Sequence, residues 1–137
     1  MDEYAISQET IQMLIAHAAQ VRRNAYAPYS NYPVGAALLA DDDTVYTGVN
    51  VENAAYPSGM CAERSAVFHA VSDGQRHFRA LALVTDNGGA PCGACRQVLA
   101  EFGLDLPLFI ADGDGNLLEA ISLRDLLPRA FTPADLP

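Results

Sequence analysis

Two short segments carry the residue types that do chemistry, Cys61-Ala62-Glu63-Arg64 and Pro91-Cys92-Gly93-Ala94-Cys95. Cys92 and Cys95 stand three positions apart, so a helix beginning near Cys92 puts both on one face, one turn apart. Cys61 takes the equivalent place at the start of a second helix. Free backbone N–H groups and the helix dipole at such N-termini favour thiolates. Three thiolates gathered in this way suit zinc, which accepts soft sulfur ligands in tetrahedral geometry. The chain has 3 cysteines and 3 histidines. His17 belongs to a first helix, His69 lies two turns beyond Cys61, and His77 falls in a loop. No histidine is well placed as a fourth ligand. A fourth position left to water marks a catalytic rather than a structural zinc site, and one zinc per chain is expected.

A C-x-x-C pair alone is shared with redox motifs and zinc fingers. Glu63 separates these readings. Two residues after Cys61, its carboxylate can reach a metal-bound water without being a ligand. Zinc lowers the pKa of such a water to about 7, and a positioned carboxylate can take up the released proton and hand it on. Glu63 is therefore the expected catalytic acid/base. Arg64, adjacent, can donate hydrogen bonds to thiolate sulfur and offset the negative charge that three thiolates bring.

Elements that could position these groups are legible along the chain. Ser7 reads as a helix N-cap, with Ile6 and Ile11 forming a hydrophobic staple across it. Ile11, Leu14, Ile15, Ala18 and Val21 continue at helical spacing to about residue 23. Two prolines make 25–33 an aromatic-rich loop. Strands are expected over 34–40 and 45–52 as a hairpin, then a helix from 61 to about 74 and a strand over 80–85. A helix over 92–102 follows, then strands over 106–111 and 117–121 and a short helix over 123–127. Interleaved helices and strands make one α/β layered domain spanning 1–137, and the hairpin makes its sheet mixed.

Bulk properties narrow the function. The chain has 137 residues, enough for one domain with a core of its own, and half of its residues are hydrophobic. Eight Lys plus Arg against 17 Asp plus Glu give a net charge of −9. A protein that grips nucleic-acid polymers needs a basic face, so such polymers and anionic membranes are not expected partners. The acidic start, Met1-Asp2-Glu3-Tyr4, is unlike a secretory signal, and the cysteine count is odd. A cytoplasmic location is expected. Asp112, Asp114 and Asn116 imitate the opening of a calcium loop, but Leu117 and Leu123 stand where that loop needs Gly and Glu; a turn is expected. Gly88-Gly89 has no following Lys to meet a phosphate and reads as a flexible loop.

The chain resembles the small, free-nucleoside cytidine deaminases. The resemblance rests on 29–37 (Tyr-Ser-Asn-Tyr-Pro-Val-Gly-Ala-Ala), Asn50-Val51-Glu52-Asn53-Ala54, Cys61-Ala62-Glu63-Arg64, Pro91-Cys92-Gly93-Ala94-Cys95-Arg96-Gln97, and Leu126-Leu127-Pro128 with Phe131. It implies a three-layer α/β/α sandwich with a five-stranded mixed sheet, assembled as a homotetramer with shared active sites. It implies zinc-dependent deamination of cytidine or deoxycytidine, with a non-ligand Glu as acid/base. Asn50 and Glu52 would bind the ribose; they alternate with Val49 and Val51, so both point to one face. Tyr32 stands where the family usually has a Phe packed on the pyrimidine, and Ala62 joins the substrate-binding set. Tyr56 and Phe131 would complete a neighbouring subunit's site. Two other readings stay open on the sequence. One is a deaminase of another aminopyrimidine nucleoside such as blasticidin S, against which Glu52 argues. The other is a non-catalytic zinc module.

Overall fold

The structure is a computed structural model and describes residues 4–137; the acidic start at residues 1–3 lies outside them. Helix α1 (Gln8–Arg22) begins where expected: Ser7 Oγ accepts from Thr10 N at 3.1 Å. Ile6 and Ile11 are both buried beside this cap, as a staple requires. The helix buries Ile11, Leu14, Ile15 and Ala18 as one stripe.

Strands β1 (Gly35–Ala40) and β2 (Val45–Val49) form the hairpin, and helix α2 (Ala62–Ser72) follows. Then come β3 (Phe78–Val84), α3 (Gly93–Ala100), β4 (Pro107–Ala111), β5 (Leu117–Ser122) and the short α4 (Leu123–Leu126). The sheet order is β2-β1-β3-β4-β5. Only β3 and β4 pair in parallel; the other neighbours are antiparallel. Ala37, Leu39, Ala80, Ala82 and Phe109 pack on the α1 side. Ala36, Leu38, Leu81, Leu83 and Leu108 pack on the opposite side, under α2 and α3. This is the expected α/β/α sandwich around a mixed five-stranded sheet.

Two strand boundaries differ from the sequence reading by more than one residue. β2 ends at Val49 rather than 52, because Val51 leaves the hairpin and bridges Tyr26 and Met60 instead. β3 starts at Phe78, which pairs with Ala40 and packs edge-on against Phe102 at 5.3 Å. The 112–116 segment forms the expected turn: the Asp112 carboxylate accepts from the backbone of Asp114 and Asn116.

The topology fixes where chemistry can sit. Both β2 and β3 run antiparallel to β1, and β4 is parallel to β3. So β2, β3 and β4 all point one way. Helix α2 follows β2 and α3 follows β3, so both begin at the carboxyl edge of the sheet, the usual ligand site of open α/β folds. Gly48 lets α2 lie directly on β2: a Cβ there would overlap the Ala62 carbonyl oxygen and the Ala66 nitrogen. Those contacts lie on either side of Glu63 and Arg64, so the glycine sets the height of the first turn of α2.

Candidate active site

Cys61 is the N-cap residue of α2 and Cys92 that of α3, both with extended backbone, and neither side chain is used in capping. Cys95 lies one turn into α3 and is fully buried. The sulfur atoms of Cys61, Cys92 and Cys95 all lie within 4.8 Å of one another. Cys61 Sγ is 3.8 Å from Cys92 Sγ, which is 3.4 Å from Cys95 Sγ. Tetrahedral zinc with bonds of about 2.3 Å holds its sulfurs about 3.8 Å apart. The donor set and its spacing therefore fit zinc. Among the described residues no histidine joins this group. His69 instead packs edge-on against Tyr46 at 5.1 Å.

The thiols share their protons unequally. Hydrogen bonds from Cys95 and then from Arg64 hold Cys61 down at about 5, while the same contact with Cys61 pushes the Cys95 thiol up. Arg64 Nη2 donates to Cys61 Sγ at 3.3 Å, as the sequence suggested. Its Nε is buried without a partner among the described residues. Glu63, on the first turn of α2, is only 5% exposed. Desolvation raises its pKa, with the nearby Cys61 adding to the rise. A carboxyl group so placed can hold a proton nearer neutral pH than an ordinary Glu.

A cavity of about 790 Å³ opens above these groups, with Cys61, Ala62, Glu63 and Cys92 on its wall. Ala62, with no side chain beyond Cβ, leaves room beside Glu63. Tyr32, Asn50, Glu52 and Tyr56 also line the cavity. Asn50 and Glu52 thus face the same space, although β2 does not reach them.

Both side chains also grip the loop over 29–34. Asn50 Oδ1 accepts from Val34 N at 2.9 Å and its Nδ2 donates to the Tyr32 carbonyl at 2.9 Å. Glu52 Oε1 accepts from Tyr29 N and Ser30 N, and Oε2 from Ser30 Oγ. The Ser30 hydroxyl and these N–H groups hold the Glu52 carboxyl below its usual range. Tyr56, highly exposed, packs edge-on against Tyr29 at 5.6 Å on the rim. Phe131 does not line this cavity; its carbonyl accepts from Gln97 Nε2 at 2.8 Å, and its side chain faces outward.

Several residues of the site have roles that the sequence did not announce. Ser30 anchors Glu52. Arg22 reaches from α1 to the Pro33 carbonyl and forms an ion pair with Asp86. Buried Thr85 accepts from Gly89 N at 2.8 Å. The 85–90 segment is therefore pinned, not the flexible loop that Gly88-Gly89 suggested. A pair of glycines shows only that a backbone can bend; here Thr85, four residues before Gly89, and Arg22, distant in sequence, fix the bend.

The sequence model of the cytidine and deoxycytidylate deaminase zinc-binding region matches residues 8–110. A cytidine deaminase of Sporosarcina psychrophila is 51% identical over 129 residues, covering 92% of this chain and 94% of that one. A cytidine deaminase of Halalkalibacterium halodurans is 48% identical over 128 residues, covering 91% and 96%. The crystal structure of cytidine deaminase from Burkholderia pseudomallei superposes with a TM-score of 0.83 at 45% identity, covering 92% of this chain and all of that one. Matches of this extent, reaching across both cysteine segments and the whole sheet, show that the chain belongs to the cytidine and deoxycytidylate deaminase family.

Proposed function

We propose that this chain hydrolyses cytidine, and also deoxycytidine, to the corresponding uracil nucleoside and ammonia, with one zinc held by Cys61, Cys92 and Cys95. The observation that carries this reading is one cavity lined both by Glu63 with Cys61 and Cys92 of the three-thiol cluster and by Asn50 and Glu52. Zinc bound there supplies an activated water. The chain's own residues do the rest. Glu63 takes a proton from the attacking water as its oxygen bonds to the amine-bearing carbon, and passes it to the adjacent ring nitrogen, where it stays. Glu63 then carries the remaining proton of the added hydroxyl to the amine, so that the carbon–nitrogen bond breaks, ammonia leaves and the oxygen becomes the ring carbonyl. Arg64 holds the Cys61 sulfur in place. Ala62 and Tyr32 shape the wall that meets the base.

Asn50 and Glu52 hold the sugar. They bind a part of the substrate that does not react, and such binding positions the reacting centre. Glu52→Gln tests the charge with the loop preserved, since Gln can still accept from Tyr29 N and Ser30 N. A hydrogen bond to a charged group is stronger than a neutral one, so kcat/KM for cytidine is expected to fall roughly 10-fold to 150-fold. Free cytosine, without the sugar, should be a very poor substrate of the native chain. Ammonia release from cytidine, deoxycytidine and cytosine, with zinc counted in the same samples, checks both points. Cytosine turned over as well as cytidine, or unchanged kinetics in Glu52→Gln, would overturn the sugar-binding role.

The reaction belongs to pyrimidine nucleoside salvage, in a reducing compartment such as the cytoplasm, where three free thiols persist. The chain would act as one domain over 1–137 and assemble as a homotetramer with shared sites. Exposed Tyr26, Tyr29, Val51 and Tyr56 crowd the segments around the cavity mouth, an apolar rim of the kind that marks contact surfaces. Phe131, exposed and outside its own chain's cavity, would then complete the site of a neighbour. Deleting residues 130–137 is expected to reduce cytidine turnover at least 10-fold while zinc content stays near one per chain, an expectation on the order of a lost aromatic anchor. Unchanged turnover in the shortened chain would remove Phe131 from the site.

A further inference from the structure

The loop over 29–34 and the loop over 85–90 both line the cavity: Tyr29, Ser30 and Tyr32 from one, Thr85, Gly89 and Ala90 from the other. The first carries the backbone groups gripped by Asn50 and Glu52. The second leads directly into Pro91 and Cys92. One side-chain hydrogen bond joins the two at the cavity: Tyr32 Oη donates to Asn87 Oδ1 at 2.7 Å. The hydroxyl lies over Gly89. A Cβ on Gly89 would overlap the Tyr32 hydroxyl oxygen, yet would sit 3.6 Å from the ring carbon Cζ, an ordinary contact. The space above Gly89 is thus filled by the hydroxyl alone. Arg22 supports the same joint from outside, through the Pro33 carbonyl and Asp86.

We propose that the Tyr32–Asn87 hydrogen bond is a latch that holds the two loops together, making Tyr32 and Asn87 positioning residues for substrate binding. This rests on the proposed function for its substrate, but not for its geometry. Without the latch the 85–90 loop is in its binding position for only part of the time. Apparent affinity falls by that fraction, while turnover of bound substrate is unaffected. Tyr32→Phe keeps the ring and removes only the hydroxyl. Asn87 is exposed, so its loss leaves no buried group unpaired. Gly89 has no left-handed backbone to protect, so Gly89→Ala acts by driving the hydroxyl off Asn87.

The three single variants should therefore share one phenotype. Each is expected to raise KM for cytidine, and the inhibition constant of the product uridine, roughly 3-fold to 10-fold, as loss of one hydrogen bond would, with kcat within about two-fold. The decisive arm combines them. Tyr32→Phe with Asn87→Ala, and Tyr32→Phe with Gly89→Ala, should be no worse than Tyr32→Phe alone, since one interaction cannot be lost twice. Amide hydrogen exchange across 85–90 reads the latch without substrate: it should be faster in Tyr32→Phe, and no faster in the combined variants. Effects that multiply in the combined variants, or unchanged exchange in Tyr32→Phe, overturn the latch. A native chain inert toward cytidine would instead overturn the proposed function, and the exchange measurement would still decide the latch.

Discussion

Replacing Glu63 with Gln is expected to lower cytidine turnover by about 100-fold to 10,000-fold, the range typical of general acid–base groups, while zinc content and fold are kept. The substitution preserves shape and volume. It removes the one property the mechanism uses, a carboxyl group that can carry a proton. Glu63 is not one of the three clustered thiol ligands, so zinc should remain. Stability should move the other way from activity. Burial raises the Glu63 pKa, which means that the fold disfavours its ionised form. Ionised Glu63 therefore works against folding at pH values above its ordinary pKa, and a neutral Gln is relieved of that burden. With zinc removed from both proteins, the thermal midpoint of Glu63→Gln is expected to equal or exceed that of the native chain. A collapse of activity with no loss of stability is what a residue kept for chemistry produces. Turnover measured beside thermal melts and zinc analysis checks it; near-normal turnover would end the assigned role.

How much of this was legible in the sequence depends on the range of the interactions. Helix α1, its Ser7 cap and its buried stripe follow from residues within four positions of one another, and they are found as read. The cysteine site is a pairing of two local signals, each a cysteine at a helix start. The sheet's direction then brings those starts together, because β2 and β3 run the same way. Asn50 and Glu52 share a face by simple alternation. Their strand nonetheless stops early, since Val51 finds partners in Tyr26 and Met60, and no local pattern announces such a switch. The joint between loops was not legible at all. Tyr32 and Asn87 stand 55 positions apart, and Arg22 and Asp86 stand 64 apart. Nothing about an isolated Asn or Asp in a polar loop indicates a partner at that distance. Family resemblance marked Tyr32 as unusual, but what its extra hydroxyl does comes from the packing over Gly89.

Replacing Cys95 with Ala is expected to abolish zinc binding and, with it, cytidine turnover. Substitutions of groups that merely support metal ligands weaken binding by about 10-fold to 100-fold, and loss of one of only three protein ligands must exceed that. Two consequences of the geometry strengthen the case. Cys95 is fully buried between α3 and the site, so water cannot simply take the place of its sulfur without entering the core. In the zinc-free chain it is also the leading hydrogen-bond partner that lowers the Cys61 pKa. Losing it raises the pKa of a second ligand, which must be a thiolate to bind metal. Alanine fits the small space with little loss of packing, so the variant should fold. A linked measurement separates this site from metal bound elsewhere. A ligand that binds the native state stabilises it by mass action, so a strong chelator should lower the thermal midpoint of the native chain. The midpoint of Cys95→Ala should already be lower and should not respond to the chelator. Equal chelator shifts in both proteins, or full zinc retention with normal turnover in Cys95→Ala, would place the functional metal outside the three thiols.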